Sequence, residues 1–283
     1  MRLLTYRSGG KITYGAVMGD GIVDLGAALG ADFPDLKAII AGGGMNRARA
    51  ALEAGEPSAS LEGIEYLPVI PNSEKILCVG LNYEDHRIET DFEPTGHPTL
   101  FNRWAECQCG HGQPMVLPRN SVEFDYEGEL AVIIGRDGRH VDEADALDIV
   151  AGYSVYNDGS IRDWQMHTTQ FLPGKNFDAT GAFGPWMVTP DEVGDPDDLA
   201  ISLRLNGETL QDSRTSHMIF KIPRLIAYIS SFTTLRPGDV IVSGTPGGVG
   251  FTRTPPIFMK AGDVVEVEIE KVGVLRNPIV AEG

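Results

Sequence analysis

Glu123-Phe-Asp-Tyr-Glu-Gly-Glu-Leu-Ala-Val-Ile-Ile-Gly135 decides how the rest of this chain is read. Its second half, Leu130-Ala-Val-Ile-Ile134, is an unbroken apolar run of the length and type a fully buried β-strand needs. Its first half carries Glu127 and Glu129, and on an extended chain that two-residue spacing projects both carboxylates from one face. Like charges at the mouth of a buried strand repel, and a hard divalent cation between them is the simplest remedy. A solvated strand end with two surface glutamates is the alternative.

Composition narrows the field. With 283 residues the chain can bury a substantial core and can hold a small domain beside a larger one. The formal net charge of -17 argues against a nucleic-acid partner, because phosphate needs clustered Lys and Arg. An anionic substrate remains compatible if a metal or local cations reverse the sign inside a pocket. No apolar run reaches membrane-spanning length, and Met1-Arg-Leu-Leu-Thr-Tyr-Arg7 lacks a secretory apolar core. A cytoplasmic protein without a membrane partner is the expectation. Cys78, Cys107 and Cys109 are an odd set that suggests no disulfide framework, and no second pair completes a structural zinc site. They are read as reduced thiols.

Residues 1–70 read as a small N-terminal α/β domain. Strands are expected over Leu3–Tyr6, Ile12–Met18 and Ile22–Leu25, and helical patches around Leu36, Ile39 and Ile40 and over Arg47–Ala54. Leu67-Pro-Val-Ile-Pro71 reads as an extended linker. Residues 71–283 carry many β-type runs between Gly and Pro, with helices expected only at Glu143–Val150 and Pro223–Phe232, the latter with Leu225, Ile226, Ile229 and Phe232 on one face. This pattern predicts a β-rich α+β domain with sheets rolled around a core, not a doubly wound parallel sheet.

Beyond the glutamate pair, three clusters carry candidate chemistry. His86 and Glu89 are three apart, so on a helical turn they share a face, and a carboxylate on one imidazole nitrogen makes the other a better base; a surface ion pair is the plainer alternative. Asp158 ends an apolar strand and could give a third oxygen ligand, with Arg162 and Gln165 following at helical spacing; an N-cap at Asp158 or Ser160 before a polar helix face is the competing reading. Lys175, in Gly174-Lys-Asn-Phe-Asp178, could neutralise the acids or donate to an oxyanion. Gly244-Thr-Pro-Gly-Gly-Val-Gly250 is no phosphate loop, since no Lys-Ser/Thr follows. Its glycines suit close backbone approach to a small ligand, with Thr245 free to bond it, or a plain turn between strands.

In order, Cys78-Val-Gly-Leu-Asn-Tyr83 with His86 and Glu89, Asp125-Tyr-Glu-Gly-Glu-Leu130, Asn157-Asp158 with Arg162-Asp-Trp-Gln165, Gly174-Lys-Asn-Phe-Asp178, Leu235-Arg-Pro-Gly-Asp-Val-Ile-Val-Ser-Gly-Thr-Pro246, Lys260-Ala-Gly-Asp-Val-Val-Glu-Val-Glu-Ile269 and Arg276-Asn277 resemble the fumarylacetoacetate hydrolase family over roughly residues 70 to 280. The likeness is to bacterial acylpyruvase-like and 2-hydroxyhepta-2,4-diene-1,7-dioate isomerase-like members. The resemblance implies a mixed β-roll, a homodimer, and Mg2+ (or Mn2+ or Ca2+) held by Glu127, Glu129 and Asp158. It further implies that Arg162, Gln165, Lys175, Thr245 and Tyr83 face the substrate, and that His86 and Glu89 lie on a lid that activates water. Two departures stand out. A family threonine four residues after the lysine is here Ala179, with Thr180 next, and Phe101–Gly112 is unusual in carrying Trp104, Cys107, Cys109 and His111. Those four either shape a distinctive pocket or pack against it.

The implied substrate is a 2-oxo acid, whose carboxylate and adjacent carbonyl chelate a hard cation. The expected reaction is hydrolysis of an acylpyruvate-type C–C bond to pyruvate and a carboxylic acid. His86 and Glu89 would activate water, Lys175 and Gln165 would stabilise the oxyanion, and Arg162 would bind a substrate carboxylate. The alternatives are decarboxylation of an oxaloacetate-like β-keto acid, isomerisation of a hydroxymuconate-type diacid in aromatic catabolism, or a non-catalytic protein of the same fold.

Overall fold

The apolar run becomes the Gly128–Ile134 strand, buried at every position in the computed structural model, which describes residues 1–283. Alternate side chains of this strand enter two different cores. Leu130, Val132 and Ile134 pack with Leu203, Val267 and Leu275 of a second sheet. Ala131 and Ile133 pack on the other face with Leu36, Ile39 and Ile40. A strand covered on both faces needs apolar residues at every position, which is why the run shows no alternation.

The central sheet runs, in spatial order, Ala59–Ser60, Gly21–Asp24, Lys11–Met18, Arg2–Ser8, Gly181–Val188, Val150–Asp158, Gly128–Ile134, Val240–Val242, Ile76–Gly80 and Thr99–Arg103. A five-stranded sheet of Glu208–Arg214, Ala200–Leu205, Val264–Ile269, Gly273–Ala281 and Met115–Leu117 packs against it. Strands dominate and most pairs are antiparallel, so the β-rich α+β fold stands.

The first seventy residues do not have a sheet of their own. Arg2–Ser8 pairs with Gly181–Val188, Leu3 opposite Met187, so the N-terminal strands extend the central sheet. The 67–71 stretch is also packed rather than free: Leu67, Val69 and Ile70 are buried, and the Thr5 hydroxyl donates to the Val69 carbonyl at 2.9 Å.

Two helix expectations need correction. Glu143–Ile149 forms 3-10 turns, because only Ala146 is buried and no continuous apolar face exists to anchor an α-helix. Ile222–Phe232 is the expected amphipathic helix with Leu225, Ile226 and Ile229 buried, but Phe232 at its end is 56% exposed.

All three cysteines are buried and unbridged. Burial pushes the Cys109 thiol up to about 12, raises Cys107, and raises Cys78 further with help from Asp158 and Glu129. A thiolate is the reactive form, so a thiol-specific disulfide reagent should label none of them in the native protein and all three in urea. Rapid labelling of one native cysteine would contradict this packing.

Candidate active site

The metal-ligand expectation is built by sheet register. Gly128–Ile134 runs antiparallel to Val150–Asp158 with Gly128 opposite Asn157 and Glu129 opposite Tyr156. The pairing continues one step, because the Asp158 N–H donates to the Glu127 carbonyl at 2.8 Å. Residues opposite each other across a ladder share a face, so Asp158 joins Glu127 and Glu129. One carboxylate oxygen from each lies within 4.8 Å of the others, and all three residues are buried. Asp158 is not an N-cap: the Arg162–Gln165 turn begins after Ile161 and has no side-chain cap.

Three buried cations surround these acids. Lys175 Nζ lies 2.7 Å from Glu127 and 2.8 Å from Asp158. Arg162 Nε donates to Asp125 at 2.8 Å, while its Nη2 is 2.7 Å from Glu127 without hydrogen-bond alignment. Arg103 bonds the other oxygen of Asp158. Four buried carboxylates (Asp125, Glu127, Glu129, Asp158) therefore face three cations, and the surplus falls on Glu129, whose one partner is the Gly244 amide. Burial, Asp158 and Glu127 push the Glu129 carboxyl well above its ordinary range. Glu127 goes the other way: burial would raise it, but Lys175 and Arg162 outweigh that and hold it at about 2. An all-oxygen ligand set with one uncompensated negative charge fits a hard divalent cation.

Burial alone would lower the Lys175 ammonium, yet Asp158 and Glu127 raise it. Lys175→Met removes the cation that Glu127 and Asp158 share and leaves each with one arginine, and breaking a buried pair from one side costs about 3–5 kcal/mol. A clear fall in the urea midpoint of the metal-free variant is expected. An unchanged midpoint would mean that the lysine does not compensate the acids.

His86, on the short helix Glu84–Glu89, lines one cavity with Glu127 and Glu129, while Asp158 does not itself line it. His86 Nδ1 lies 2.8 Å from Glu89 Oε1, as the three-residue spacing implied. The second Glu89 oxygen accepts from the Gly248 N–H at 2.9 Å and the Thr252 hydroxyl at 3.2 Å. Burial would raise the Glu89 carboxyl, but His86 and Gly248 outweigh it, so the net shift is downward.

These contacts correct the expectation for the glycine loop. Its amides approach the protein's own carboxylates: Gly244 donates to Glu129, Gly248 to Glu89 and Gly250 to Asp125. Gly250 has no room for a side chain, since a Cβ there would lie 1.8 Å from the Ile257 carbonyl. Thr245 lines the cavity but is not free, because its hydroxyl donates to Gly128 O and accepts from Gln211.

Of the remaining expected residues, Arg162, Gln165 and Lys175 line the cavity, with Arg162 Nη1 donating to Gln165 Oε1 at 2.9 Å. Tyr83 does not. It is fully buried in the core, its hydroxyl has no hydrogen-bond partner, and a direct substrate contact is not supported. Trp104, Cys107, Cys109 and His111 also lie off the cavity; His111 packs edge-on against Tyr66. The unusual segment contributes instead through Arg103, which the motif reading passed over. Asp125 was passed over as well, and it accepts from Arg162, Gly250 and Phe251. Its place beside the glutamate pair was a usable signal.

Comparison with known proteins agrees with this geometry. The family model described as fumarylacetoacetate (FAA) hydrolase C-terminal matches residues 75–280. The chain is 45% identical over 238 residues to oxaloacetate tautomerase fahd2, mitochondrial, of Xenopus laevis, covering 83% of this chain and 75% of that protein. Among solved structures, 5-carboxymethyl-2-hydroxymuconate delta-isomerase from Mycobacterium smegmatis aligns over 100% of both chains with 31% identity and a TM-score of 0.79. Maleylpyruvate hydrolase from Sphingobium sp. SYK-6, in complex with manganese (II) ion and pyruvate, aligns over 100% of both chains with 31% identity and a TM-score of 0.83. A family match over most of the chain, a buried carboxylate triad and a hydrogen-bonded His–Glu pair lead to one conclusion: the chain belongs to the fumarylacetoacetate hydrolase family of enzymes.

Proposed function

We propose that the protein moves a proton on the carbon beside the carbonyl of a 2-oxo acid, interconverting the keto and enol forms of an oxaloacetate-type substrate. The observation that carries this reading is the oriented base, His86 held by Glu89, lining one cavity with Glu127 and Glu129 of the acidic triad. Glu127, Glu129 and Asp158 would hold a divalent cation, Mg2+ in the first instance with Mn2+ or Ca2+ as substitutes, that polarises the carbonyl oxygen as a Lewis acid. The Glu89 carboxylate accepts, so His86 Nδ1 carries the hydrogen and Nε2 keeps its lone pair. His86 Nε2 can then take the proton from the substrate carbon as the carbonyl oxygen gains one to give the enol, and in the reverse direction return a proton to the carbon as the enol O–H is lost. Lys175 bonds Glu127 and Asp158, and the Gln165 oxygen accepts from Arg162. The Gln165 amide N–H groups and the third N–H of Lys175 are left to donate to a substrate oxygen, in an enolate and in a tetrahedral intermediate alike. The tautomerase name of the Xenopus relative supports proton transfer over water attack.

Acylpyruvate hydrolysis is the second reading, favoured by the apolar cavity wall of Val79, Leu81, Phe92, Phe101, Met166 and Phe171, which suits an uncharged acyl arm. In it His86 takes its proton from water. The deciding assay follows three signals with Mg2+ or Mn2+ and with chelator: loss of enol absorbance from oxaloacetate, carbon dioxide release from oxaloacetate, and pyruvate release from acetylpyruvate. Chelator-sensitive enol loss, faster than either release, is the expected result. Faster pyruvate release would install the hydrolase reading, faster carbon dioxide release a decarboxylase, and silence in all three either the hydroxymuconate-type isomerase or a non-catalytic protein. A homodimer is part of the proposal, and light scattering on the eluting protein checks it.

A further inference from the structure

Arg103 ends the Thr99–Arg103 strand at the edge of the central sheet, opposite Ile76. Its side chain is fully buried yet does not line the active-site cavity. A guanidinium is kept out of water only where its surroundings pair it, and here each terminal nitrogen has a defined acceptor. Nη1 donates to Asp158 Oδ1 and, at 2.9 Å, to the Gly159 carbonyl. Nη2 donates to the Thr180 hydroxyl at 2.8 Å. That hydroxyl gives its own hydrogen to the Phe177 carbonyl at 2.7 Å, so its oxygen is turned toward the arginine. Space for the group is built in, because a Cβ on Gly181 would lie 2.9 Å from Nη2.

The two oxygens of Asp158 are held by different cations: Lys175, which lines the cavity, takes Oδ2, and Arg103, behind the wall, takes Oδ1. We propose that Arg103, fixed by Thr180, is a positioning residue that aims Asp158 into the cation site and thereby sets divalent-ion affinity. The inference rests on reading the acidic triad as a cation site. It also accounts for the displaced threonine, since Thr180 meets Arg103 instead of the cavity.

The test is Mn2+ binding by calorimetry on the full chain, with far-UV spectra of each metal-free variant. Partners behind a metal ligand typically contribute 10–100-fold to affinity. Arg103→Met should therefore weaken Mn2+ binding by about 30-fold, and Arg103→Lys, whose ammonium can still reach a carboxylate, should recover most of that loss. Thr180→Val, which keeps the charge and removes one acceptor, should weaken binding by about fivefold, the worth of one hydrogen bond. A folded Arg103→Met that binds Mn2+ as tightly as wild type, or more tightly, overturns the proposal. So does a lysine variant no better than the methionine one, which would make the effect packing alone. If Arg103→Met does not fold, Thr180→Val decides, and unchanged affinity there overturns the proposal. Failure of the wild-type protein to bind Mn2+ overturns the cation site itself, and is distinguishable because it appears before any variant is made.

Discussion

Glu129→Gln removes divalent-cation binding and leaves the metal-free fold at least as stable as wild type. The two halves of this result have one cause. Glu129 is the buried acid without a cationic partner, held by the Gly244 amide alone and pushed upward by burial, Asp158 and Glu127. Glutamine has nearly the same shape, and its oxygen can still accept from Gly244. What disappears is a buried, uncompensated carboxylate, whose desolvation opposes folding. A ligand to a hard ion has become an uncharged amide, so Mn2+ affinity should fall by at least about 100-fold, the upper range for loss of a mere supporting group. Ion-induced stabilisation disappears with it, because stabilisation follows RT ln(1 + [L]/Kd). Thermal unfolding with and without Mn2+ reads both effects. A variant that keeps the Mn2+-dependent rise in Tm would remove Glu129 from the ligand set.

His86→Ala should lower kcat by about 10²–10⁴, the range for loss of a positioned general acid–base, or about 3–5 kcal/mol of barrier. Mn2+ affinity should stay close to wild type, because His86 bonds Glu89 and none of the three acidic ligands. This split between chemistry and ion binding separates the base from the ligands. Added imidazole should restore part of the rate, since the cavity left behind is shaped for that ring. The loss applies equally to proton transfer from carbon and to water activation, so the variant tests the base whichever reaction the substrate assays select. Near-wild-type turnover with the ion bound would show that the proton moves through another group.

Much of the fold and part of the site was legible before any coordinate, and the legible part is the periodic part. A two-residue spacing put Glu127 and Glu129 on one face, and a three-residue spacing paired His86 with Glu89 at 2.8 Å. The apolar run 130–134 announced a strand with both faces covered, and Leu225, Ile226 and Ile229 announced a helix with one. Patterns of this kind are fixed by local backbone geometry and survive whatever surrounds them. Glu143–Ile149 marks their limit, since acidic spacing without a buried face settled into 3-10 turns.

Only the tertiary structure decided the contacts that tune those groups. Arg103 reaches Asp158 across 55 positions, Gly244 reaches Glu129 across 115, and Gly248 reaches Glu89 across 159. It likewise decided that the N-terminal strands join the central sheet, and that Tyr83, Cys107, Cys109 and His111 stand outside the cavity. No period along the chain encodes a partner at such separations. The sequence by itself determined which residues share a local face, whereas sheet register and burial determined which charges meet, and in a low-dielectric interior that meeting sets their protonation and their use.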